Sequence, residues 1–240
     1  MNKGQELYHG KAKTVYATDD PNWVIMHYRD DVSAFDGAKL AKLEKKGETN
    51  NYFNAFIMQL LEKEGVKTHF GKILNERESL VRAMKMLKVE CVVRNICAGS
   101  MSKRLGIEEG TRLPEPIFEY FYKSDELHDP MVNDDHIRVL GWASEDDVQR
   151  MRIRSRQINN ILKPLFDDAG IDLVDYKLEF GRAVDDPNGQ LLLGDEFTPD
   201  GCRLWDQKTG EKMDKDRFRR DLGNVIDFYR EAAKRIGVPL

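Results

Sequence analysis

The 240 residues carry 38 Lys and Arg against 42 Asp and Glu, a net charge of -4, with 33% charged residues, 40% hydrophobic residues and a mean hydropathy of -0.60. That balance is ordinary for a soluble globular protein and offers no overall field toward nucleic acid or a membrane surface. No window approaches the roughly 18 apolar residues of a membrane span and the N-terminus lacks an apolar stretch, so neither a span nor a signal peptide is expected and a cytoplasmic location is.

Cys91, Cys97 and Cys202 are odd in number and lack metal spacing, which reads as reduced thiols. A chain of this length buries roughly 70 to 75% of its unfolded surface as one large domain or two lobes. Strands come first, then a mixture with two long helices, so the order of elements argues for α+β rather than alternating βαβ units.

Leu7 to Ala17 reads as two short strands about a glycine turn at Gly10, followed by a third at Trp23 to Tyr28. Gly10 lets the backbone approach an anion, and Lys11 and Lys13, two apart, are expected on one face. The segment is not a P-loop, because Gln5 and Ala12 stand where Gly and Ser or Thr are required. It still suits a flap over nucleotide phosphates, as it does a hairpin with two solvated lysines.

Asp31 to Gly37, with Asp36, reads as a loop. A helix is expected from Thr49 or Asn50 to Glu64, stopped by Gly65. The strand Val89 to Arg94 leads into Ala98-Gly99-Ser100 and a short helix Met101 to Leu105. Backbone N-H groups there, beside Arg94, make a seat for a phosphate, although Ser100 would serve equally as a plain cap.

Pro114 and Pro116 suggest a connector between two lobes, with a strand from Phe118 to Lys123. Asp129 lies in turn chemistry at His128 to Asn133. Ser144-Glu145-Asp146-Asp147 starts a long helix stopped at Gly170, in which Pro164 predicts a kink or break. A last helix is expected over Asp216 to Ile236, with Leu222 among its inward residues.

The centre of the chain is the hairpin Leu173 to Gly194. Alternation puts Val174, Tyr176, Leu178 and Phe180 on one apolar face and Asp175, Lys177 and Glu179 on the other. With Asp185-Asp186-Pro187-Asn188-Gly189 as the turn, Glu179 comes within a residue or two of Asp195. Two close carboxylates keep their charge cheaply only with a cation between them, and oxygen-only ligands suit Mg²⁺, although an alternating edge hairpin with a solvated Asp-Lys-Glu face would look the same.

Taken together, Leu7-Tyr8-His9-Gly10-Lys11-Ala12-Lys13, Val89 to Arg94 with Ala98-Gly99-Ser100, Leu173 to Gly181, and Gly194-Asp195-Glu196 with Pro199 to Asp206 resemble the SAICAR synthetases of purine biosynthesis, over essentially the whole length. The resemblance implies an α+β, two-lobed fold related to ATP-grasp and kinase-like folds. Its β-rich N-terminal lobe would be residues 1 to 85 and its larger lobe residues 86 to 240, with ATP between them.

It further implies an ATP- and Mg²⁺-dependent ligase acting on L-aspartate and an imidazole carboxylate ribotide, working as a homodimer. By resemblance, Gly10, Lys11, Ala12, Lys13, Val15 and Lys123 meet the nucleotide, while Glu179 and Asp195 hold the metal. Lys177 and Asp175 are catalytic. Arg94, Ser100 and Arg203 grip the phosphoribosyl end of the imidazole substrate, and Asp36, Asp129 and Asp200 meet substrate or a second metal. A small-molecule kinase and a non-catalytic nucleotide-binding regulator are the competing readings, separable by whether ADP release depends on aspartate.

Overall fold

The computed structural model describes residues 1 to 35 and 37 to 240, so the expectation for Asp36 lies outside the described residues. The chain begins with β1 (Lys3–His9), β2 (Lys13–Thr18) and β3 (Trp23–Tyr28), continues through the ribbon β4 (Asp31–Ala34) and β5 (Lys39–Lys42), then α1 (Lys46–Lys63), β6 (Phe70–Asn75) and β7 (Glu78–Arg82). Five of these strands form an antiparallel sheet in the order β1-β2-β3-β7-β6. The loop expected at Asp31 to Gly37 is strand over Asp31–Ala34, where Val32 and Ala34 pack against Phe218, Val225 and Tyr229 from the far end of the chain.

The second sheet is built from β8 (Met84–Ile96), β9 (Arg112–Tyr122), β10 (Met131–Val132), β11 (Ile171–Ala183), β12 (Leu192–Gly194) and β13 (Cys202–Asp206). Its order is β10-β9-β8-β11-β12, with β13 also paired to β11. The helices of this half are α2 (Gly99–Leu105), α3 (Asp134–Val139), α4 (Glu145–Asp168), α5 (Asp216–Arg219) and α6 (Val225–Arg235). The largest buried cluster joins Phe53, Ile57 and Leu61 of α1 to Ile158, Leu162 and Phe166 of α4 over Tyr176, Leu178 and Phe180 of β11. Each such side chain contributes roughly 1.5 to 3 kcal/mol through burial.

Several local expectations give way to tertiary context. Pro114 and Pro116 sit inside β9, where β10 pairs only with Tyr120 and Phe121, so they occupy a stretch that β10 leaves uncovered. α1 starts at Lys46, ahead of the expected Thr49, because the Gly47 N-H donates to Asp30 Oδ1 at 2.9 Å, a cap from a distant segment. α4 has the expected capping box at Ser144 and Asp147 and runs unbroken through Pro164. Pro164 and Asn160, whose carbonyl loses its helical donor, are both exposed, so water can satisfy that oxygen.

The last helix divides instead into α5 and α6. Gly223 and Asn224 take φ values of 70° and 49°, and the Arg217 guanidinium collects the carbonyls of Leu222 and Gly223 at 3.0 and 2.8 Å. Leu222 is consequently 47% exposed. In β11 the pairing with β13 slips between Leu173 and Asp175, a bulge that sends Val174 to a separate cluster with Ile96, Ala98 and Trp205. Tyr176, Leu178 and Phe180 keep the predicted apolar face.

Candidate functional site

Register assembles the site. Glu179 pairs with Gly194, so Asp195 follows directly beside it, as the hairpin predicts. Asp195 has φ of 53°, a left-handed conformation uncommon for a residue with a Cβ. The strain is held by the segment after α1. His69 N-H donates to Leu193 O at 2.8 Å, and the buried His69 ring lies within the field of Asp195.

Around these acids stand three lysines. Lys13 of β2 hydrogen bonds to Asp195 and lies 2.9 Å from Glu196. Lys123, just past β9, bonds to Glu179. Lys177 bonds to Glu179 and lies 3.2 Å from Glu90 and 3.4 Å from Asp195. Burial pushes the Asp195 carboxyl up, but Lys13 and Lys177 more than offset this and hold it well below its ordinary range. Burial likewise opposes ionisation of Glu179, and Lys177 reverses the sign. Glu90 goes the other way, raised by burial in spite of Lys177 and further by the Glu179 and Asp129 charges.

Among the described residues no three His, Cys, Asp or Glu converge into a preformed metal cluster. The two carboxylates of Glu179 and Asp195 offer oxygen donors alone, the set that suits a hard cation completed by phosphate oxygens and water, so these residues fit Mg²⁺.

Along the same face of β11, two residues before Lys177, a second set of charges crosses the sheet. Asp175 pairs in register with Arg94 on β8 and with Arg203 on β13. Arg94 Nη1 donates to Asp175 at 2.7 Å, its Nε to Glu119 at 2.6 Å and its Nη2 to Ser100 Oγ at 3.1 Å. Arg203 Nη1 donates to Asp175 at 2.9 Å and its Nε to Asp216 at 2.9 Å. Burial opposes the Arg203 charge, but Asp175 and Asp216 hold its pKa above the ordinary value. Gly99, with φ of 58°, presses against the Arg203 guanidinium, and a Cβ there would collide with it. Guanidiniums, Ser100 and the start of α2 thus meet at one place suited to a phosphate.

Other expected residues have partners of their own. Lys11 is exposed and pairs with Asp125 at 2.8 Å rather than sharing the surface of Lys13. Gly10 closes the β1-β2 turn by donating to Lys13 O at 2.9 Å, Ala12 O accepts from Arg29 N at 2.9 Å, and Val15 pairs with Met26. Asp129, at φ of 47°, accepts from Ser124 N at 2.9 Å and so closes its own turn. Asp200 is buried against Lys46 at 2.5 Å, Asn50 at 2.8 Å and Tyr229 at 2.9 Å.

Sequence reading passed over Glu90, Glu119, Glu196, Lys46, His69 and Asp216. Glu90 lies in the Val89 to Arg94 motif, and Glu196 directly follows Asp195. Lys46 and His69 carry no local signal, since only chain packing brings them here.

These features define an α+β protein with a carboxylate-lysine centre beside an arginine-lined anion seat. The SAICAR synthetase family model matches residues 6 to 236. The phosphoribosylaminoimidazole-succinocarboxamide synthases of Hahella chejuensis and Alteromonas mediterranea are each 57% identical to this chain, over 99% of both chains in the first case and 100% of both in the second.

The solved synthase from Ehrlichia chaffeensis superposes with a TM-score of 0.96 at 46% identity, covering 98% of this chain and 100% of that one. A SAICAR synthetase (Type-2) solved in complex with ADP gives 0.93 at 44% identity, with the same coverage. The chain therefore belongs to the SAICAR synthetase family, and with it to the carbon-nitrogen ligases of purine biosynthesis. No helix among the described residues is long and apolar enough to cross a membrane.

Proposed function

We propose that the chain uses ATP to join L-aspartate to the carboxylate of 5-amino-1-(5-phosphoribosyl)imidazole-4-carboxylate, releasing ADP and phosphate. The observation that carries this is Lys177, set on one strand face between the Glu179-Asp195 acids and the Asp175-Arg94-Arg203 row. A carboxylate brought between the two halves meets a fixed ammonium, with a phosphate seat on one side and a polyphosphate-binding centre on the other.

A carboxylate is a poor acyl donor. The γ-phosphoryl group passes to its oxygen, breaking the bond to ADP and forming an acyl phosphate. The aspartate amine then attacks the acyl carbon, the C-O bond to phosphate breaks, inorganic phosphate leaves, and the nitrogen gives up its proton. Lys177 and Lys123 neutralise charge that builds on the transferring group, and Lys13 meets the nucleotide from the N-terminal strands. Glu179 and Asp195 would hold Mg²⁺, which supplies charge neutralisation on the ATP phosphates. Arg94, Ser100 and Arg203 hold the ribotide phosphate, with Asp175 fixing both guanidiniums.

The nucleotide lies between lobes 1 to 85 and 86 to 240, a reading supported by the Lys13 to Asp195 pair that links β2 to the end of β12. A cytoplasmic homodimer belongs to the same reading, and light scattering that finds only monomer removes the dimer. The deciding experiment is ADP release with ATP, Mg²⁺ and the ribotide, with and without L-aspartate. Dependence on aspartate supports the ligase, release without it makes the protein a kinase, and nucleotide binding without release makes it a regulator.

A further inference from the structure

Charge accounting around Asp200 leaves one cation over. Asp200 is taken up by Lys46, whose side chain is 1% exposed, together with Asn50 and Tyr229. Glu196 is matched by Lys13 at 2.9 Å. Asp216 is matched by Arg203 and by Arg219 Nη1 at 2.6 Å. Lys215 stands in the middle of these groups, within the fields of Asp200, Arg219, Lys46 and Glu196. No described residue hydrogen bonds to or ion-pairs with its ammonium.

Its position is fixed from the backbone. Lys215 N donates to Pro199 O at 3.1 Å, and Lys215 O accepts from Arg219 N at 3.0 Å, so the residue is clamped to the Thr198-Asp200 turn and to α5. The side chain is partly buried, and burial lowers its pKa in spite of Asp200. Asp200 and Glu196 act on this cation only at a distance, with no hydrogen bond or ion pair to its ammonium, and the cost of burying it falls when an anion comes into direct contact.

The location selects which anion. Glu196 adjoins the carboxylate-lysine centre through Asp195, and Asp216, next in sequence to Lys215, adjoins the ribotide seat through Arg203, so Lys215 is anchored between the segments that carry the two. The remaining substrate, a dicarboxylic amino acid, must enter there for its amine to reach the activated carboxylate.

We propose that Lys215, backed by Arg219 and Lys46, seats a carboxylate of the amino-acid substrate. This rests on the ligase reading above. The site takes an α- or β-carboxylate by a charge-assisted hydrogen bond, and Asp200 and Asp216 keep the neighbouring cations from competing for it.

The test is steady-state kinetics of Lys215→Met and Lys215→Arg with each substrate varied in turn. The methionine variant should raise KM for L-aspartate about tenfold or more and leave those for ATP and ribotide within about twofold, and the arginine variant should recover part of the loss. Acylation of Lys215 in the wild-type protein, followed by peptide mass spectrometry, gives a readout that needs no variant to fold. L-aspartate should protect the amine and L-leucine should not.

An unchanged aspartate KM with ligation intact, or labelling indifferent to aspartate, overturns the site and leaves the ligase standing. Wild-type ADP release that ignores aspartate overturns the ligase reading itself.

Discussion

Glu90 and Glu179 face each other as directly paired residues of β8 and β11, two carboxylates in register across an antiparallel ladder. Like charges so placed repel. Lys177 answers both, 3.2 Å from Glu90 and bonded to Glu179, and Lys123 bonds to Glu179 from the other side. The pair therefore concentrates lysine at one end of the strand, where a polyanionic nucleotide needs it. Removing either acid alters the set rather than one contact.

Glu179→Gln and Asp195→Asn should retain the fold and lower kcat by about 10² or more, the scale seen when a single charge-organising group is removed from a reaction centre. Circular dichroism and thermal melts check the fold, and ADP release checks turnover. Turnover equal to the parent in either variant removes that residue from the metal and nucleotide role.

Arg94 lies between Asp175 and Glu119, its side chain only 4% exposed. Arg94→Ala leaves two buried carboxylates short of a partner and should cost about 3 to 5 kcal/mol of stability. It is therefore a poor probe of ribotide binding. Ser100→Ala is the better one, because it removes a hydroxyl and leaves Arg94 its two carboxylates. It should raise KM for the ribotide several-fold while the urea midpoint stays put, and a rise confined to ATP would displace Ser100 from the phosphate seat.

At Gly99 the backbone is left-handed, with φ of 58°, and the Arg203 guanidinium occupies the space of a side chain. Gly99→Ala must strain the backbone by roughly 1 to 2 kcal/mol and displace Arg203. The expected result is weaker ribotide binding with ATP binding preserved, measured by calorimetry with each ligand alone.

Two buried groups give opposite pH dependences over one window. Burial lowers His69 to about 4, so between about pH 4 and the unfolded value near 6.5 the unfolded chain holds the extra proton, and stability falls as pH falls. Burial, aided by the Asp216 charge, raises Asp214 to about 7, so the folded chain holds the extra proton above about pH 4, and stability falls as pH rises toward 7. The two slopes oppose each other between about pH 4 and 6.5. His69→Phe should make stability decline with rising pH across that window, and Asp214→Asn should make it climb. Urea titrations at half-unit pH intervals test both, and parallel profiles for parent and variants would count against the assignment.

The hairpin was legible because strand alternation and turn chemistry are local. Asp175, Lys177 and Glu179 share a face by the geometry of one strand, and the turn at Asp185 to Gly189 fixes the return that brings Asp195 beside Glu179. The quoted motifs also carried the family, since they span the chain. Alternation failed only at Val174, where pairing with β13 inserts a bulge that nothing in residues 171 to 183 announces.

Tertiary structure decided the rest. Lys11 and Lys13 are two residues apart, yet only Lys13 continues into β2 and reaches Asp195, while Lys11 turns outward to Asp125. Lys46, His69, Glu119 and Asp216 join the site across separations that no periodicity encodes, because side chains pair by position in space and the chain's return to that position depends on the whole core. Local sequence determined which residues could carry charge on one strand face. Packing of the two sheets and α1 determined which opposite charges would meet them, and left the Lys215 ammonium with no directly bonded carboxylate among the described residues.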